Sequence, residues 1–186
     1  MGCAEDEPPE APQTTDVVLV GGTNEEALEA FLALTPVHDP TKTAIFDWPS
    51  EGEQLPADTP SSFCWYIGEP QGARRSLPGD FARPPVPDTS PFEPLFFGLP
   101  SAHAQALPLS GPAYFITFAD PDGKALLRGF TTATNFVPSQ EAWAELYEAG
   151  VPITVTVTWA DFEANRIPEG GGPWAGKPMT VGIRQY

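Results

Sequence analysis

Basic residues are scarce in this chain of 186 residues. Nine lysines and arginines face 25 aspartates and glutamates, for a formal charge of −16. That balance argues against electrostatic capture of nucleic-acid phosphates or anionic lipid headgroups. Histidine is scarcer still, leaving only His38 and His103 to exchange protons near neutral pH. No apolar run approaches the roughly 20 residues that a membrane-spanning helix needs. There is no Gly-x-Ser-x-Gly elbow, no His-Glu-x-x-His pair and no phosphate-binding loop, so the commonest hydrolase, zinc-peptidase and nucleotide-binding signatures are missing. With two cysteines the chain can close at most one disulfide.

What the chain has in quantity is proline and glycine, 24 and 17 residues, which suit short strands joined by rigid loops better than long helices. The organising stretch is Gly111–Trp159. Tyr114, Ile116 and Phe118 alternate with Phe115, Thr117 and Ala119, the period of two of a strand. Asp120-Pro121-Asp122-Gly123 then reverses the chain, and residues 125–132 run back as its partner. Ser139 can cap a helix that ends at Gly150, with Trp143, Leu146 and Tyr147 on one stripe. Ile153, Val155, Val157 and Trp159 alternate with Thr154, Thr156 and Thr158, predicting a strand with apolar residues inward and threonines outward.

The flanking segments follow the same logic. Residues 1–15 hold four acids and three prolines and bury nothing large, so they read as a disordered acidic tether. Residues 16–41 predict a strand ending at Gly21-Gly22, then a helix opened by a Thr23-x-x-Glu26 capping box, with Leu28, Phe31 and Leu32 on one face. Residues 42–186 form the main domain. Within it, 42–48 and 61–67 read as strands, with Phe63 and Trp65 on one face of the second and Cys64 on the other. Residues 69–112 carry ten prolines and form a long loop insertion. Asp161–Gly176 is a second loop, and Met179, Val181 and Ile183 mark the last strand. Phe63, Trp65, Tyr114, Ile116, Phe118, Val155, Val157, Val181 and Ile183 are the expected core. The fold class is mainly β: an antiparallel sandwich with two short helices.

Two blocks carry a resemblance. The block AIFDWPSEGEQLPADTPSSFCW resembles the opening of fibronectin type III and immunoglobulin-like modules of bacterial surface proteins. The blocks AHAQALPLSGPAYFITF and NRIPEGGGPWAGKPMTVGI are similar to the carboxy-terminal half of uncharacterised lipoproteins of myxobacteria and their relatives. Met1-Gly2-Cys3 followed by an acidic, Pro-rich stretch also resembles the mature start of a bacterial lipoprotein, which implies lipidation of Cys3. A myristoylation site is the rival reading, disfavoured by Asp6 where Ser or Thr is usual. These resemblances imply a secreted module of the cell envelope, held to the outer membrane only through its lipid and meeting a protein or glycan there. They imply no catalytic activity and no cofactor.

Candidate site residues are few. Trp174, in a Gly-rich loop near Asn165 and Arg166, is the aromatic best placed for an exposed ligand contact, because binding residues concentrate on loops held by a rigid sheet. The competing reading has it closing the open end of the sandwich. His103, with His38 or nearby carboxylates, is the candidate for a Cu or Zn site. The lipoproteins it resembles often carry Ala-His-Ala-His where this chain has Ala102-His103-Ala104-Gln105, which removes one imidazole. For His38 the simpler account is a loop hydrogen bond to Asp39. Asp120 and Asp122 read as turn residues rather than a calcium loop, which would need further carboxylates downstream. Cys64 reads as a small buried hydrophobe.

Overall fold

The computed structural model describes residues 17–68 and 107–184. The chain divides into two units, Met1–Glu69 with Leu107–Tyr186, and Pro70–Ala106; the second lies outside the described residues, as do the tether and Cys3. Among its described residues the first unit is mainly β, with two sheets and two helices. In chain order it runs β1 (Val18–Val20), α1 (Glu25–Leu32), β2 (Ala44–Trp48), β3 (Gln54–Leu55), β4 (Phe63–Ile67), β5 (Gly111–Ala119), β6 (Ala125–Thr131), β7 (Asn135–Phe136), α2 (Gln140–Glu148), β8 (Ile153–Phe162), β9 (Trp174–Ala175) and β10 (Met179–Ile183).

The large sheet has the order β1-β6-β5-β8-β10-β3, with β9 added on β8; the small sheet is β2-β4-β7. The alternating segments pair as neighbours: β5 lies antiparallel to β6 and to β8, with Ile116 opposite Gly129 on one side and Val157 on the other. Asp120 organises the β5–β6 turn, its carboxylate accepting from the backbone N–H of Asp122 and of Lys124, while Gly123 supplies φ +84. The sheet is not purely antiparallel, which corrects the sequence reading. β1 runs parallel to β6 and β3 parallel to β10. Each of those pairs joins strands more than a hundred residues apart, so no hairpin forces them antiparallel.

All nine residues expected in the core are buried. Tyr114, Ile116 and Phe118, with Ile153, Val155, Val157 and Trp159 of β8, face Ala44, Phe63, Trp65 and Phe136 of the small sheet, and α2 closes this cluster with Trp143 and Leu146. Phe63 meets Phe118 edge-on at 4.9 Å, and Trp65 meets Tyr114 edge-on at 5.5 Å. The sheets approach closely at Gly129, where a Cβ would run into the Phe136 ring. Ser139 caps α2 as expected, its hydroxyl accepting from the N–H of Ala142, and Gly150 lies beyond the helix at φ +63.

The outer face of the large sheet departs from the simple pattern of polar residues outward. Ala113, Phe115, Phe130, Ala160 and Phe162 form a second apolar cluster, covered by Ala27, Leu28 and Phe31 of α1. Phe31 sits with its ring 5.7 Å from those of Phe115 and Phe130. Only beyond the helix do Thr154, Thr156 and Thr158 reach partial exposure. The helix is capped by Asn24 rather than Thr23: the Asn24 side chain accepts from the N–H of Ala27, and the Thr23 hydroxyl turns to Val20 and to the carbonyl of Phe130.

Candidate functional site

The loop between β8 and β9 is where the chain departs furthest from regular structure. Glu163 and Arg166 exchange two backbone hydrogen bonds, of 2.8 and 3.1 Å, across Ala164 and Asn165. Both central residues have positive φ, +48 and +66, the signature of a type I′ turn. Asparagine tolerates this conformation; alanine does so at a cost. The turn is held from below. Ala164 donates its N–H to the Ser110 hydroxyl, and Asn165 donates its own to the carbonyl of Leu109.

The Asn165 side chain is buried and engaged at both amide atoms rather than presented to a ligand. Its amide oxygen accepts from the N–H of Leu109 at 2.6 Å and from the Asn24 amide at 2.9 Å, and its amide nitrogen donates to the Glu26 carboxylate at 2.7 Å. Asn24 in turn caps α1. One residue thus ties the N-terminal helix, the entry to β5 and the loop together. Arg166, next in sequence, is exposed at the edge of this clamp.

Trp174 does not project from the loop. It is 8% exposed and lies 4.3 Å, centroid to centroid, from Trp159. Lys42 covers both indoles, its Nζ 5.0 Å from the Trp174 ring and 5.9 Å from that of Trp159. The Trp159 indole donates to the Lys42 carbonyl at 2.6 Å. Val37 docks alongside, donating to Pro173 and accepting from Ala175. Of the two sequence readings of Trp174, the geometry favours the plug over the exposed contact: a cation-capped aromatic plug, continued inward by Tyr114 stacked at 6.1 Å on Trp159. Burial raises the Tyr114 phenol above its ordinary pKa, with a further push from the Asp161 charge.

His38 is exposed on the segment after Val37. The expected hydrogen bond to Asp39 does not form: the Asp39 carboxylate accepts from the Thr41 hydroxyl at 2.8 Å and from its N–H at 2.9 Å. Those bonds, the hydroxyl's first, hold Asp39 below the ordinary carboxylate pKa. His103 lies outside the described residues. Among the described residues no group of three or more His, Cys, Asp or Glu side chains is placed to hold a metal ion. Cys64 is half-buried in β4, its Sγ 3.4 Å from the Ser62 hydroxyl.

Depressions also lie on the surface of the described residues. One, of about 230 Å³, is lined by Gly52, Gln54, Pro152 and Gly182 where β3 meets β10. The other, of about 160 Å³, lies between the β2 end and Pro178, with Asp47, Glu51 and Lys177 at its rim. Among the described residues no helix is long and apolar enough to cross a membrane. The participants missed by sequence reasoning are Lys42 and Asn24; the only signal for Asn24 was its place beside Thr23 at the helix start. No family profile, curated protein or solved structure matches this chain.

Proposed function

We propose that this protein is a non-catalytic binding or structural module of the cell envelope, secreted and anchored to the outer membrane through a lipid on Cys3. In this reading the two sheets form a sandwich akin to the immunoglobulin and fibronectin III modules, with parallel edge strands as a departure from them. The observation that carries the binding role is the clamped turn at Ala164-Asn165. Asn165 locks the loop to α1 and β5 and leaves Arg166 exposed beside it. A cation at the rim of a rigid loop is a recognition element for a carboxylate-bearing protein or glycan.

Two measurements test the reading. Expressed behind a lipoprotein signal peptide, the wild type should fractionate with membranes and Cys3→Ala should not; equal release of both into the soluble fraction would end the anchoring proposal. Co-sedimentation with purified envelope fractions should be lost in Arg166→Ala while its unfolding transition stays unchanged. Identical pelleting of the two proteins would remove Arg166 from the site.

A further inference from the structure

The outer face of the large sheet has two halves, and α1 covers only the apolar one. The other half carries hydroxyls. Thr117 of β5, Thr154 and Thr156 of β8 and Thr180 of β10 point to this side, because the residues flanking each of them point into the core. Strand pairing sets the four side by side: Thr117 lies opposite Thr156, and Thr154 opposite Thr180. At the sheet edge Gln54 of β3 continues the row opposite Gly182. The threonines are half-buried and Gln54 is exposed. Among the described residues no group hydrogen-bonds the four hydroxyls or the Gln54 amide.

The row ends in the depression of about 230 Å³ at β3 and β10, whose wall includes Gln54, Thr180, Gly182 and Pro152 and holds no charged side chain. A Cβ on Gly182 would run into both the nitrogen and the oxygen of the Gln54 amide, so that amide rests against the glycine. Neutrality here contrasts with the 25 carboxylates of the chain. The outward positions of β5, β8 and β10 hold no aspartate or glutamate. The Glu51 carboxylate, at the border, is committed to the N–H of Thr180 at 3.1 Å.

We propose that the depression and the threonine row form a binding track for a neutral glycan of hexose units. Hydroxyls and a primary amide each donate and accept, which is what sugar hydroxyls require of a partner. A wall without charge gives no counter-charge to a phosphate, a carboxylate or an ammonium group. The volume lies below the roughly 300 Å³ at which small-molecule pockets begin, so the depression seats one ring and the chain continues along the row. Inter-strand steps of about 4.8 Å carry the track about 14 Å from β3 to β5. Pro152 gives the seated ring an apolar contact. An added peptide strand would instead use backbone groups at the sheet edge, whereas this row consists of side chains on inner strands. The track needs neither the lipid nor Arg166, so the failure of either leaves it standing.

The test is an NMR titration of the nitrogen-15-labelled full chain with cellohexaose, laminarihexaose and maltohexaose, and with a Gly-Ser repeat peptide. At least one sugar should shift the amides of Gln54, Thr154 and Thr180 saturably. Sodium chloride at about 0.5 M should leave that affinity unchanged, because neutral contacts are not screened. Gln54→Ala should weaken binding about tenfold. Gly182→Ala, which displaces the Gln54 amide, should weaken it to a similar extent, with the unfolding transition unchanged in both variants. The absence of saturable shifts with all three sugars would overturn the proposal, as would equal affinity in the two variants and the wild type. Shifts centred on Arg166 would put the sugar elsewhere and overturn the track. Saturation by the peptide with no response to sugar would assign the depression to a peptide and overturn it as well.

Discussion

The two faces of the large sheet are both apolar and are covered in different ways. The inner face meets a second sheet and α2, and its cluster draws on eight strands from β2 to β10 as well as the helix. The outer face meets one helix of eight residues, which covers five sheet residues with Ala27, Leu28 and Phe31. An inner residue is thus held by neighbours from across the whole unit. The outer cover is held by one helical stripe, by three residues of β1 against β6, and by the hydrogen bonds gathered at Asn165. The difference teaches that equal burial does not mean equal cooperativity. Local opening follows the number of independent supports that an element has.

Breaking the inner face should have the largest effect. Val155 is fully buried, and Val155→Asp places a carboxylate there with no partner, a cost of several kcal/mol that rivals the whole stability of a typical domain. We expect no cooperative unfolding transition and little soluble protein. A normal transition would show that the inner cluster tolerates charge.

Breaking the outer face should be costly but local. Phe31→Ala removes the ring that touches Phe115, Phe130 and Phe162, at about 3 kcal/mol. Asn165→Ala leaves the Leu109 N–H and the Asn24 amide without their acceptor, at about 2 kcal/mol. Because both changes act on the α1 attachment, proteolysis within residues 17–34 should accelerate in each while near-ultraviolet circular dichroism from the inner tryptophans persists. Loss of that signal in step with cleavage would merge the two faces into one unit.

A pH titration sharpens the contrast from the inner side. The Tyr114 phenol has its pKa raised, by burial first and then by Asp161, so its neutral form is favoured in the folded state. The stability this contributes is complete below the ordinary tyrosine pKa of 10.0 and is lost as pH rises through the folded value. Stability should therefore fall above pH 10, and Tyr114→Phe should flatten part of that fall. An unchanged alkaline profile would place the phenol in solvent.

The smallest effect should be a gain. Ala164 sits at φ +48, a conformation glycine adopts freely, so Ala164→Gly should stabilise by about 0.5–1 kcal/mol in denaturant titration. No gain would mean that the turn is not strained.

β4, β5, β8 and β10 were legible because each shows a period of two, whereas β2 and β6 do not alternate and were placed from the turns beside them. β8 alternates cleanly, and the Asp-Pro-Asp-Gly turn fixed the pairing of β5 with β6. α2 was legible from Ser139 to Gly150, since cap, stripe and stop signals agree. β3, β7 and β9 were not legible, because two residues carry no period. The parallel edges depend on pairings across more than a hundred residues, which no local signal encodes. The sequence left Trp174 open between an exposed contact and a plug of the sandwich end; its burial depends on Val37 and Lys42, which lie far away in sequence. Asn165 looked like a loop polar group, and its role as a clamp appears only when Asn24, Glu26 and Leu109 converge on it.

Native-state hydrogen exchange tests the contrast between the faces most directly. The account predicts that amides of α1, such as those of Leu28 and Phe31, exchange through an opening of lower free energy than those of Ile116, Val155 and Val157. Asn165→Ala should lower the α1 value further, while the amides of β5 and β8 keep the ranking of global unfolding. If the α1 amides exchange only with global unfolding, in wild type and in Asn165→Ala alike, the two faces form one cooperative unit and the account is wrong.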